Sequence, residues 1–226
     1  MRKIYLMLIG VMLIGTTAMS QCTELYISEY IEGSSSNKAV ELYNPTDQPI
    51  NLSDYAVLLF GNGATSPNQS LLPTGTIAPY DVFVIANSSA DAQILAQRDT
   101  VSNITFYNGD DALALVKIST GDTLDVIGVI GQRPTNPGTW AVGSGSTGEY
   151  TLVRKSTVKA GTKDWAVSSG QWDVYPQNTF SYLGSHTSDC FVPVSPIVTL
   201  KTNYVKAGEE TGSAVISVSI TSPSAT

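Results

Sequence analysis

The sequence predicts an all-β protein built as a β-sandwich, and three observations carry that prediction. Short apolar or alternating runs recur along the chain at the spacing of sandwich strands. Between them stand Asn44-Pro45, Asn62-Gly63, Asn108-Gly109 and Thr120-Gly121, dipeptides that supply the backbone conformations of tight turns. The composition, 42% hydrophobic and 14% charged with 19 glycines in 226 residues, is the opposite of the disordered signature and too poor in charge for a coiled coil.

In chain order the expected strands are 25–31, Lys38–Tyr43, Tyr55–Phe60, 81–86, 104–107, 112–118, 123–130 and 149–154. One short helix is expected over 90–98, capped by Ser88 or Ser89, with Asp91 at the positive end of its dipole and Arg98 at the negative end. Residues 155–190 are less regular and read as an extension whose aromatic side chains, Trp165, Trp172, Tyr175 and Phe180, pack over the sandwich. Exposed instead, Trp165 and Trp172 would offer a sugar-stacking platform, since a flat ring presents apolar area to a pyranose face; core packing is the favoured reading. Residues 191–196 read as a linker. Beyond it, 197–205 and the alternating Ile216, Val218 and Ile220 read as two strands of a further β domain, because two strands alone cannot bury a face.

The start of the chain reads as an address. Arg2 and Lys3 precede the apolar run 4–14 and the small-residue stretch Ala18-Met19-Ser20, the pattern of a secretory signal peptide cleaved after Ser20. The run is too short to span a bilayer core of about 30 Å. Removing residues 1–20 takes away two positive charges, so the formal net charge of −7 becomes −9 in the exported chain. A surface that tracks phosphates needs the reverse balance, so nucleic acid is an unfavourable partner for this region.

Export permits disulfides, and the two cysteines, Cys22 and Cys190, are expected to form one. The closed loop would span 190 minus 22, or 168 residue steps, worth on the order of 5 kcal/mol in the chain-entropy model. The rival readings are unpaired thiols, or a lipid anchor on Cys22, to which the bulky Gln21 is poorly suited. Two cysteines and the lone His186 do not make a four-ligand zinc set.

Catalytic constellations are hard to assemble. His186 is the single histidine, in a Gly-Ser-His-Thr-Ser run that suits a structural or exposed role, and HExxH, P-loop and GxSxG patterns are absent. The 143–148 loop, GSGSTG, does not lead into a helix. Among the carboxylates, Glu29, Glu32 and Glu41 lie near one another in sequence. Glu32, Asn37, Asp110 and Asp111 could together supply oxygen ligands to calcium if their loops met; turn chemistry is the alternative for Asp110 and Asp111. No other cofactor is suggested. Glu41 alternates with Val40 and Leu42, and pairing with Lys38 or Arg154 would explain it. Lys155, Lys159 and Lys163 would share a face only on a helix, which Gly161 and the β-branched neighbours oppose.

The stretch 24–45, ELYISEYIEGSSSNKAVELYNP, resembles the opening of the lamin-tail domain family, above all the bacterial form found beside secreted nucleases and other hydrolases. The likeness continues through NLSDY from Asn51, IAPYD from Ile77, VIAN from Val84, NGDDALAL from Asn108 and DVIG from Asp125. TLVR from Thr151 is similar to the family's closing strand and LGSH from Leu183 to the end of its extended form, so the resemblance spans 22–190. Residues 197–226 resemble the start of a Calx-beta repeat. The resemblance implies an immunoglobulin-like sandwich acting as a non-catalytic accessory module, with a protein or polysaccharide at the cell surface as partner. The alternative it implies is an accessory part of a nuclease or other hydrolase whose catalytic domain lies beyond Thr226.

Overall fold

The computed structural model describes residues 22–135 and 138–190 in full, together with the backbone of two later strands, Ile197–Leu200 and Val218–Thr221. The expected signal segment 1–20, the linker 191–196 and most of 197–226 lie outside the described residues. The chain divides into two units, Met1–Phe191 and Val192–Thr226.

The first unit runs β1 (Tyr26–Glu32), β2 (Lys38–Tyr43), β3 (Ile50–Asn51), β4 (Tyr55–Phe60), β5 (Gln69–Leu71), β6 (Thr76–Ile77), β7 (Val82–Ala86), α1 (Ala92–Gln97), β8 (Thr100–Val101), β9 (Ala112–Lys117), β10 (Asp122–Ile127), β11 (Ala141–Val142), β12 (Gly145–Ser146), β13 (Tyr150–Arg154), α2 (Trp165–Ser168) and β14 (Trp172–Pro176). Six strands form one sheet in the order β14-β13-β1-β2-β7-β8 and four a second in the order β10-β9-β4-β5, while β3 pairs with β6 and β11 with β12 in two-stranded ribbons. Neighbours are antiparallel except β7 and β8, which run parallel. In the second unit β15 (Ile197–Leu200) pairs antiparallel with β16 (Val218–Thr221).

Alternation along each strand sorts side chains between two layers. Leu25, just before β1, and Ile27, Tyr30, Val40, Leu42 and Leu152 of the larger sheet meet Val57, Leu59, Leu113, Leu115 and Val126 of the smaller one in the main core. The opposite face of the larger sheet is also covered. There Ile31, Ala39, Val84 and Ala86 pack with Ile94 of α1 and Leu183. That is why β1 is buried along its whole length. Buried polar groups hold the loops: Nδ2 of Asn44 donates to the carbonyls of Gln48 (2.8 Å), Ala78 (2.9 Å) and Ile77 (3.2 Å), and its Oδ1 accepts from the backbone N–H of Thr46 (2.9 Å).

Three local expectations are corrected. The segment 104–107 is not a strand: Ser102 accepts from the N–H of Ile104 and starts a 3-10 turn over Asn103–Thr105, so capping chemistry prevails over β-branched content. The helix starts later than expected, at Ala92, because Asp91 rather than either serine is its cap and accepts from Gln93 N–H at 2.9 Å. Ser89 is held instead in a turn by Asn87. The extension is more ordered than its composition suggests, containing β14 and a second one-turn helix, α2, capped by Asp164.

Candidate functional site

After β14 the chain crosses the outer face of the six-stranded sheet as a strap, residues 180–190, and ends at Cys190, disulfide-bonded to Cys22 with the Cα atoms 6.0 Å apart. Leu183 plugs the outer apolar cluster. His186 stands edge-on to Tyr43 and Tyr26, with ring centroids 4.8 and 5.9 Å away. Gly184, at φ +96°, turns the strap where any Cβ would collide with Gln97.

Beneath the strap lie two carboxyls. Glu29 of β1 and Glu41 of β2 are direct cross-strand partners, and both are buried. Oε1 of Glu41 accepts from Ser28 Oγ at 2.7 Å and Oε2 from the N–H of Gly184 at 2.7 Å. Among the described residues neither carboxyl oxygen of Glu29 has a hydrogen-bond partner. Burial, and then the charge of Glu41, pushes the Glu29 carboxyl up to about 9. Burial also raises Glu41, to about 7, against the hydrogen bonds from Ser28 and Gly184. Burial, then the Arg154 charge, lowers His186 to about 4, so its imidazole is neutral at pH 7.

The expected pairing of Glu41 with Lys38 or Arg154 is not formed. Lys38 and Glu41 differ by three along a strand and so point to opposite faces. Lys38 pairs with Glu32. Arg154 points into the sandwich, where it forms a fully buried ion pair with Asp125. Its Nε donates to the Ile27 carbonyl at 2.9 Å, its Nη1 to Gln171 at 2.9 Å and Ser168 at 3.2 Å, and its guanidinium lies 3.8 Å from the Trp172 ring centroid. Asp125 accepts in addition from the N–H groups of Ile27 (3.0 Å) and Thr162 (3.1 Å). Gly161 allows this approach, since a Cβ there would lie 2.5 Å from Asp125 Cβ. Asp125 was not among the expected site residues, although an aspartate inside the apolar run LDVI is the signal that marks it.

The other candidate residues are engaged in holding loops. Glu32 pairs with Lys38 and also accepts from Glu149 N–H. Asp110 pairs with Arg133. Asp111 accepts from the N–H groups of Asn62 (2.6 Å) and Asn108 (3.1 Å), clasping two turns, and burial raises its pKa. Glu32, Asp110 and Asp111 all lie within electrostatic range of the Tyr30 hydroxyl. Asn37 is drawn elsewhere, accepting from Asp91 N–H at 2.8 Å and donating to Asn178 at 3.3 Å. Among the described residues no group of three or more His, Cys, Asp or Glu is placed to hold a metal ion.

Trp165 and Trp172 are both buried in the main core. Trp165 also walls a cleft of about 420 Å³ beside residues 126–130. Residues 155–163 form no helix, so Lys155, Lys159 and Lys163 share no helical face; Lys155 donates to the Gly170 carbonyl at 2.8 Å. A second cleft, about 310 Å³, opens between the strap and the β13–β14 edge, with His186, Asp173 and Tyr182 among its walls.

No curated protein and no solved structure matches the chain. A family model, Lamin Tail Domain, matches residues 18–131, half of the sequence. The match takes in β1 to β10; β13, which pairs with β1 and extends the larger sheet, β14 and the strap lie after it. Among the described residues no helix is long and apolar enough to cross a membrane, and the Cys22–Cys190 bond fits an oxidising, extracellular environment. With that match laid over an immunoglobulin-like sandwich, the chain belongs to the lamin tail domain family of non-catalytic β-sandwich domains.

Proposed function

We propose that residues 22–190 act as an exported, non-catalytic interaction module that recruits a partner at the cell surface, as an accessory domain of a larger extracellular protein. The observation that carries this reading is the use made of the charged side chains. Asp125 and Arg154, Asp110 and Arg133, Glu32 and Lys38 neutralise one another, and Asp111 is held by backbone N–H groups. General acid–base or metal chemistry needs such groups free to face a substrate. The signal-like start and the Cys22–Cys190 bond support export.

Purified exported protein is expected to bind saturably to the envelope fraction of the producing cells and to leave plasmid DNA intact with magnesium, manganese or calcium. Metal-dependent nicking that disappears in His186→Ala would overturn the non-catalytic reading. Failure to bind the envelope would overturn the recruiting role. A hydrolase domain encoded beyond Thr226 would make the module the accessory part of that hydrolase.

A further inference from the structure

The cleft between the strap and the β13–β14 edge combines features that a packing role does not explain. Its volume of about 310 Å³ falls at the lower end of the range of about 300–1,000 Å³ for small-molecule sites. Hydroxyls line it, from Ser156, Ser185 and Thr187 among others, together with the exposed Asp173 carboxylate. One wall is aromatic. Tyr182 is 38% exposed, and Tyr175 backs its ring with centroids 4.4 Å apart, which holds an otherwise mobile side chain in place.

Polar groups without partners gather around the same place. Among the described residues Nε2 of His186, buried at the cleft wall, has no hydrogen bond, and neither have the two carboxyl oxygens of Glu29, the cross-strand neighbour of the wall residue Val153. Buried polar atoms of this kind are uncommon in native proteins and call for a water or a ligand. The charges narrow the ligand class. Arg154, the one cation among the described wall residues, is turned into the sandwich and paired with Asp125, so the described wall presents carboxylate and neutral groups. An anionic ligand would meet Asp173 unopposed, and an apolar one would strand the hydroxyls.

We infer that this cleft binds the terminal sugar of a neutral glycan, with the Tyr182 ring as the stacking face and Asp173 as acceptor for sugar hydroxyls. A sugar ring offers both chemistries the cleft presents, an apolar C–H face and a rim of hydroxyls. The inference deepens the recruiting role proposed above and rests on it.

Native gel electrophoresis of the exported chain in gels cast with dextran, β-1,3-glucan, mannan, xylan or galactan tests it, with polygalacturonate as the anionic comparison. At least one neutral polysaccharide should retard the protein. Tyr182→Ala and Asp173→Asn should each weaken that retardation tenfold or more, whereas Tyr182→Phe should keep it. Asp173 is exposed, so its variant remains informative should Tyr182→Ala fail to fold. Absence of retardation in every neutral gel, equal retardation of the variants, or retardation by the polyuronate alone overturns the assignment. Envelope binding that persists without any polysaccharide binding sinks the sugar site and leaves the recruiting module standing.

Discussion

Glu29 and Glu41 face each other directly across β1 and β2 beneath the strap, and among the described residues only Glu41 finds hydrogen-bond partners, in Ser28 and the strap's Gly184. Two buried carboxyls at cross-strand distance cannot both ionise cheaply, so the folded protein holds protons that the unfolded chain releases.

Stability should therefore fall as pH rises. Glu29 is raised from 4.5 to about 9 and Glu41 from 4.5 to about 7, so their stabilising protonation is complete below 4.5 and lost as pH passes the folded values. His186, lowered from 6.5 to about 4, acts oppositely, its contribution being present above 6.5 and lost on acidification. Asp81 and Asp99 add negative charge near Glu41, and Arg154 acts on His186. Between pH 6.5 and 8.5 the Glu29 effect dominates: the end of the Glu41 loss, around its folded value of about 7, adds to it, and the end of the histidine gain, just above 6.5, offsets part of that addition. Urea unfolding should show a loss of about 3 kcal/mol across that window, from about 1.4 kcal/mol per pH unit. Glu29→Gln should flatten the slope; an unchanged slope would refute the assignment.

The Asp125–Arg154 pair should be costly to break and cheap to replace. Removing one partner leaves a buried charge uncompensated, so Asp125→Ala should cost about 3–5 kcal/mol in urea unfolding. Asp125→Leu combined with Arg154→Met should recover part of that loss, but not all, because the N–H groups of Ile27 and Thr162 lose their acceptor. A cost below about 1 kcal/mol for the single variant would be incompatible with a fully buried pair.

Reducing the disulfide should free the strap's end. Cys22→Ser is expected to cost about 2–5 kcal/mol. The effect should be visible locally at His186, which is four residues from Cys190 and whose low pKa comes first from burial. Titrated by NMR, the imidazole should move from about 4 in the oxidised protein toward its ordinary value of about 6.5 in the variant. A histidine that titrates identically in both would show that the strap is held by Leu183 and Gly184 alone.

Much of this architecture is legible in the residue pattern, and the parts that are not have a common cause. Lys38–Tyr43 and Tyr55–Phe60 end where their turn signals stand, and Cys22 with Cys190 leaves one pairing to choose. Alternation even contains the correction to Glu41: counting from Lys38 puts the two on opposite faces. What it does not contain is what covers a face. The strap reaches Glu41 across 143 positions and the Asp125 carboxylate meets Ile27 across 98. Such contacts are set by the stacking of layers, and local periodicity is silent about them. Strands of two or three residues, such as β3, β8 and β11, carry too few positions to show any period. Most of the cleft wall, Ser156, Asp173, Ser181, Tyr182, Ser185, His186 and Thr187, comes from the extension, whose composition reads equally as loop.

Trp172 offers the sharpest test of the extension as part of the core. Its ring lies against the Arg154 guanidinium at 3.8 Å and belongs to the main apolar cluster, while its Nε1 has no acceptor among the described residues. Removing the ring opens a cavity and strips one side of a buried cation, so Trp172→Ala should destabilise by about 3–5 kcal/mol. Trp172→Phe keeps an apolar ring in the cluster and removes the orphaned N–H, so it should cost distinctly less than the alanine variant. Urea unfolding of the two, monitored by far-UV circular dichroism, separates packing from ligand binding. If Trp172→Ala were as stable as the parent and lost only polysaccharide retardation, the ring would be a binding platform; equal and large costs for both variants would instead locate its role in the indole N–H.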